Sequence, residues 1–301
     1  MPWGLLTVEL SLSAWIVVLL VADLVVPAAR KSALWALALV GVLLSLVLLA
    51  GTPPASIGGT FQGMFVLDRF AIYFKWLFLL TAAVVIVMTR HLRRLSSPGA
   101  FYLLLFTALL GTMILASVND LLLLFIGLEL LTFSLYIMAA YLKADPRSVE
   151  AGMKYLVLGS VSAGFLVYGA SLLYGFAGGT SFTALREALA GGPVPWTAQA
   201  GLWMVLAALG FKIAMVPFHL WVPDVYEGAP TPVVAFLSVG SKMAGVVALL
   251  RLLYQVFLPL AGLWAGWLAV LAAATMCYGN LAAIPQTNIK RLLGYSSIGH
   301  A

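Results

Sequence analysis

Residues 120–142 read DLLLLFIGLELLTFSLYIMAAYL, and this stretch decides the fold class. One acid, Asp120, opens an apolar run of about 20 residues, the length a helix needs to cross the hydrocarbon of a bilayer. Inside lipid every backbone N–H and C=O must be paired within the protein, so a span is a helix or part of a closed barrel. The run lacks the polar–apolar alternation of a barrel strand, which leaves the helix. A single charge interrupts it. Glu129 lies nine residues past Asp120, about 13 Å along a helix and near the middle of a core about 30 Å thick.

Outward from this stretch the pattern repeats. Of 301 residues, 63% are hydrophobic and 9% charged, and the mean hydropathy is +1.10. A soluble domain carries about a quarter charged residues. Spans are expected at 5–27, 32–51, 69–89, 100–117, 121–142, 152–175, 200–222, 232–257 and 261–284, with a tenth starting near 292. The fold class is an all-α membrane protein, a polytopic helical bundle. Its connections sort by charge. Arg30, Lys31, Arg90, His91, Arg93, Arg94, Lys143, Arg147, Lys290 and Arg291 fall on one side. The other side holds Asp68 with Arg69, Asp120, and Arg186 with Glu187. Lys and Arg mark the cytoplasmic side, which places the N-terminus outside and keeps the alternation through every span. The net charge of +6 is accounted for by these loops and calls for no nucleic acid. No basic residue precedes the first span, so no cleaved signal peptide is expected. Residues 52–68 form a Gly- and Pro-rich outer segment, and Ser181–Leu189 is expected to be a short amphipathic helix at the interface. The chain stops at Ala301 inside an apolar run, so it is expected to be truncated there.

The chemistry is limited by what the chain lacks. Cys277 is the single cysteine, His91, His219 and His300 are far apart, and no Gly-rich loop joins a strand to a helix. No disulfide, metal-ligand set, haem signature or dinucleotide fingerprint is readable. The expectation is no metal, no cofactor and no redox or catalytic centre in this chain itself. What remains is charge inside spans, which is costly and marks proton or ion paths. Lys212 lies about 18 Å into its span and Lys242 about 15 Å into the next, depths similar to that of Glu129. Lys154 is shallower and follows Glu150 by four residues, a spacing that also suits a helix-surface pair. Glu9, Asp23, Lys75 and Arg251 lie nearer span ends, where side chains snorkel to water.

A buried amine and a nearby carboxylate titrate as a coupled pair, so changing one loads or unloads the proton of the other. An ammonium cannot ligate Na⁺, so a lysine-lined path favours H⁺. Ser238, Ser241, Tyr136 and water are candidates to fill the gaps. Pro217, Pro223, Pro230 and Pro232, with Gly210, Gly240 and Gly245 near the lysines, suggest helices broken around an enclosed cavity. Small residues such as Gly159, Gly164 and Gly169 suit close helix packing. His219 follows the break and suits either a proton shuttle or a capped neutral histidine. Asp224 and Glu227 read as ordinary loop acids that could also collect protons, and His300 stands next to the chain end.

Three stretches carry a resemblance: GLELLTFSLYIMAAYLKADPRSVEAGMKYLVLGS (127–160), LGFKIAMVPFHLWVPDVYEGAPTPVVAFLSVGSKMAG (209–245) and NLAAIPQTNIKRLLGYSSIGHA (280–301). They resemble the antiporter-like subunits of proton-pumping NADH–quinone oxidoreductase, respiratory complex I, and most closely the N type. The wider family includes subunits of multi-part cation/proton antiporters. The resemblance implies inverted-topology repeats, each with a half-channel. It divides the chain into a three-helix segment (1–99), a first repeat (100–257) and the start of a second (258–301). It implies a proton pathway through Glu129, Lys212, Lys242 and Lys154, with His219 and His300 as possible relays. NADH, FMN, iron–sulfur clusters and quinone would belong to partner subunits, the M-type and small K-, J- and A-type neighbours of the membrane arm. The setting it implies is a bacterial plasma membrane. The alternative is an antiporter subunit with no redox partner.

Overall fold

The computed structural model describes residues 3–52, 60–90 and 97–301. His91, Arg93 and Arg94, and residues 53–59 of the Gly- and Pro-rich segment, lie outside them. Thirteen α-helices are formed by the described residues. α1 (Thr7–Val25), α2 (Leu34–Ala50), α3 (Arg69–Thr89), α4 (Pro98–Ala116) and α5 (Leu121–Ala139) come first. Next are α6 (Pro146–Ala177), α7 (Phe182–Ala190), α8 (Trp196–Ile213), α9 (Trp221–Gly228) and α10 (Thr231–Phe236). α11 (Lys242–Gln255), α12 (Ala261–Ala283) and α13 (Ile289–Gly299) complete the series. Among the described residues, eight helical segments are long and apolar enough to cross a membrane, and the chain is a multi-pass membrane protein.

The expected span at 200–222 is interrupted. α8 ends at Ile213, and Ala214 takes a left-handed conformation with φ of 68°. Pro217 has no N–H to donate and cannot continue a helical ladder. The chain resumes as α9 only at Trp221. Beyond Pro230, α10, which holds Pro232 in its first turn, passes into a π-helical turn, Leu237–Ser241, which delivers the chain to Lys242 at the start of α11.

Small residues bring the helices close. A Cβ on Gly111 of α4 would lie 2.7 Å from the Leu131 nitrogen of α5, and one on Gly169 of α6 2.8 Å from the Gly201 carbonyl of α8. Gly164, expected to pack in the same way, has open space around it. At the end of the bundle away from Arg30, Lys31, Lys143 and Arg147, acids cap helices. Asp68 accepts from Ala71 N at 2.7 Å, and Asp120 from Leu122 N at 2.7 Å. Asp120 also accepts from the Thr180 hydroxyl at 2.7 Å, which ties down α7. That helix is the expected amphipathic one. Ser181 caps it, and Phe182, Leu185 and Leu189 form its buried stripe.

Three of the four residues expected to snorkel do not. Lys75 of α3 and Glu9 of α1 are buried and paired at 2.6 Å, with the Lys75 ammonium 4.8 Å from the Phe65 ring. Arg251 is buried, bonded to Asp68 at 2.9 Å and to the Ala116 carbonyl at 2.8 Å. The reason is lateral, not axial. Each lies a short way into its helix but on the face turned to a neighbouring helix, so a partner was nearer than water. Asp23 alone is partly exposed, paired with Lys31 at 2.8 Å.

Candidate functional site

Two faces and the end of a helix meet around Glu129. α5 presents Glu129, Thr132 and Tyr136, spaced three and four residues apart and hence on one face. Gly159 and Ser162 come from α6, and Ala208, Phe211 and Lys212 from α8. Together they enclose a cavity of about 20 Å³, room for one water molecule. Lys212 is 3% exposed, and its Nζ has no hydrogen-bond partner among the described residues. Glu129 is half-buried across the same cavity. Thr132 turns its hydroxyl back to the Leu128 carbonyl at 2.8 Å and so stays in place beside Glu129. The arrangement puts a carboxyl and an amine on one enclosed space with no other charged side chain lining it.

Lys242 faces a second space. Its ammonium donates to the Ser297 carbonyl of α13, and it lines a cavity of about 610 Å³ with Tyr226, Ser238, Ser297 and His300. The Tyr226 hydroxyl lies 3.1 Å from Ser297 Oγ. One turn along α11, Gly245 backs the other lysine: a Cβ there would stand 2.9 Å from Lys212 Cγ. α11 therefore carries one lysine and supports the stem of the other. Ser241 is buried with its Oγ unpartnered among the described residues.

Lys154 is not brought to either cavity. It is exposed, bonded to Asp224 of α9 at 2.7 Å and to Glu150 of its own helix at 2.8 Å. Arg291 at the start of α13 bonds Asp224 at 2.8 Å and Glu227 at 3.1 Å. These groups line a polar cavity of about 220 Å³. Partial burial pushes the Asp224 carboxyl up, but the hydrogen bonds from Lys154 and Arg291 outweigh it and hold the group below its usual value. His219 is 5% exposed and packs on the Tyr278 ring of α12, with centroids 4.4 Å apart. It lines neither cavity.

Sequence reasoning, which reads Asp224 as a loop acid that could also collect protons, misses its pairing with Lys154 and Arg291, and it misses Tyr155 and Trp221, whose rings stack at 4.5 Å. It also passed over the Glu9–Lys75 pair. A usable signal existed for that pair: opposite charges at similar depth from the same side of the bundle. No one-dimensional signal pointed to Trp221.

The family model for the transmembrane region of NADH:quinone oxidoreductases and Mrp antiporters matches residues 118–301. NADH-quinone oxidoreductase subunit N of Chlorobium chlorochromatii is 43% identical over 312 residues, covering 99% of this chain and 61% of that protein. NAD(P)H-quinone oxidoreductase subunit 2 of a Synechococcus species is 46% identical over 307 residues, covering 99% and 57%. Among solved structures, a chain of respiratory complex I from Thermus thermophilus with bound aureothin superposes with a TM-score of 0.81 at 35% identity, covering 97% of this chain and 62% of that one. The chain thus spans about three fifths of the length of the proteins it matches.

Proposed function

The chain belongs to the NADH:quinone oxidoreductase/Mrp antiporter transmembrane family, and from that premise we propose that it is a membrane-arm subunit of a proton-translocating NADH:quinone oxidoreductase. The relatives that carry that name at 43–46% identity support this over an antiporter without a redox partner. The observation that carries the reading is the shared cavity of Glu129 and Lys212. In a low-dielectric site a carboxylate favours the charged form of a neighbouring amine, so a change in the charge or distance of one alters the proton occupancy of the other. Lys212 holds the proton, Glu129 sets how firmly, and Lys242 is the next holder along α11. NADH, FMN, iron–sulfur clusters and quinone belong in this reading to partner subunits, and protons are what this chain handles. The setting is a bacterial plasma membrane with the N-terminus outside, supported by the Lys and Arg bias of the connections.

The experiment is proton translocation and NADH:quinone reductase activity in membrane vesicles carrying Lys212→Met or Glu129→Gln. Both variants are expected to lose most translocation while the chain stays in the membrane. Unchanged pumping in Lys212→Met sinks the reading. Co-purification with no redox subunit turns it toward the antiporter.

A further inference from the structure

α9 is clamped at its middle and its C-terminal end, and its first residue touches the buried lysine's helix. On its polar side, Asp224 holds Lys154 of α6 at 2.7 Å and Arg291 of α13 at 2.8 Å. Its C-terminal carbonyls are taken by Lys290, which donates to Glu227 O at 2.8 Å and Ala229 O at 2.7 Å. Gly228 leaves no slack against α6, since a Cβ there would lie 2.4 Å from the Arg147 carbonyl. Three residues before Asp224, Trp221 is 1% exposed and stacks on Tyr155, the residue next to Lys154, at 4.5 Å and 15°. Its indole Nε1 donates to the Phe211 carbonyl at 3.0 Å.

That carbonyl belongs to the last turn of α8, immediately before Lys212. A helix end leaves its final carbonyls without helical partners. Here the helix stops at Ile213, so the Phe211 carbonyl takes only the tight turn from Ala214 N at 3.1 Å and the Trp221 indole. The aim of Lys212 therefore depends on where α9 holds its tryptophan.

The geometry points to Asp224 as a positioning residue for Lys212: its two ion pairs hold the middle of α9, and α9 fixes the last turn of α8 through Trp221. This inference rests on the functional reading of Lys212 above. Lys154 makes the arrangement a lever and not only a brace. It has a second acid, Glu150, at 2.8 Å on its own helix. Without Asp224 it stays paired there, so α6 loses little, while α9 keeps its C-terminal ties to Lys290 and Arg291 and loses the one nearest Trp221.

The test uses membranes holding the assembled complex, with translocation normalised to the amount of inserted chain and thermal unfolding followed in parallel. Asp224→Asn and Trp221→Phe are each expected to lower translocation about tenfold, the kinetic equivalent of one hydrogen bond, with a modest drop in the unfolding midpoint and the chain still inserted and folded. Asp224→Glu restores most of the rate. The double variant Asp224→Asn/Trp221→Phe is no worse than either single, because both act on one lever. Multiplicative losses in the double variant, or full translocation in Asp224→Asn where Lys212→Met is dead, overturn the lever alone. Full translocation in Lys212→Met overturns the functional reading and the lever with it.

Discussion

Gly159 of α6 lies directly beneath the Tyr136 hydroxyl of α5, so close that a Cβ on Gly159 would stand 1.9 Å from that oxygen. The glycine lets the tyrosine ring enter the wall of the Glu129–Lys212 cavity, where its edge meets the Tyr155 ring at 4.7 Å. Gly159→Ala is expected to destabilise the chain by about 1–3 kcal/mol, the usual cost of overpacking, and to displace the ring from the cavity. Adding Tyr136→Phe removes the oxygen nearest that Cβ while keeping the ring, and should recover part of the stability. Thermal unfolding in detergent of the single and double variants decides this, and no recovery would mean that the strain lies elsewhere.

The Glu9–Lys75 pair gives a second prediction. Both groups are buried and 2.6 Å apart, and removing one partner of such a pair leaves an uncompensated charge, at a typical cost of about 3–5 kcal/mol. Lys75→Met should therefore be strongly destabilising. Lys75→Met together with Glu9→Leu should be close to neutral, because two apolar groups replace two buried charges. An unfolding cycle over the four proteins measures the coupling. A double variant as unstable as Lys75→Met would show that the pair does not act alone in joining α1 to α3.

The spans, their order and the break after Lys212 were legible because each has a one-dimensional cause. Apolar length sets a span, a proline lacking an N–H ends a helix, and Asp or Ser at a helix start caps it. The depth of Glu129, Lys212 and Lys242 could be counted along the chain. Azimuth could not. A helix carries its residues around a full circle, and only the neighbours decide which direction is interior. Hence Lys75, Glu9 and Arg251 were read as snorkelling when each faces a partner. Hence also Lys242, similar in depth to Lys212, opens on a different cavity: the π turn at Leu237–Ser241 resets the face just before it. The pairing of Asp224 is not legible in the sequence because its partners are residues 154 and 291, far away along the chain.

A pH dependence follows from Asp224. Its carboxyl is held below the usual value in the folded chain, because the hydrogen bonds of Lys154 and Arg291 outweigh partial burial. A group whose folded value is depressed contributes stability above its unfolded value, about 4 for an aspartate. That contribution is lost as pH falls through the lower folded value. The stability difference between the native chain and Asp224→Asn should thus be constant at neutral pH, begin to shrink near about pH 4 and vanish only below the folded value. Unfolding midpoints of both proteins across that window make the measurement. A difference that grows in acid would have the wrong sign for this ion pair.

Gly245 tests the support of Lys212 from the other side. A Cβ on it would lie 2.9 Å from both Lys212 Cγ and Ile213 Cγ2, tighter than packed atoms tolerate. The lysine stem is flexible and can yield, whereas Ile213 sits in the last turn of α8 and cannot move without it. Gly245→Ala is therefore expected to cost about 1–2 kcal/mol of stability and to shift Lys212 away from α11, toward Glu129. Gly245→Val, which adds two methyl groups at the same point, should cost more and reduce proton translocation further. Measured in vesicles, the two variants should rank glycine, alanine, valine in translocation. A valine variant that pumps at the native rate would show that the α11 backbone does not constrain the lysine, and that the stem finds its position from the α5 side alone.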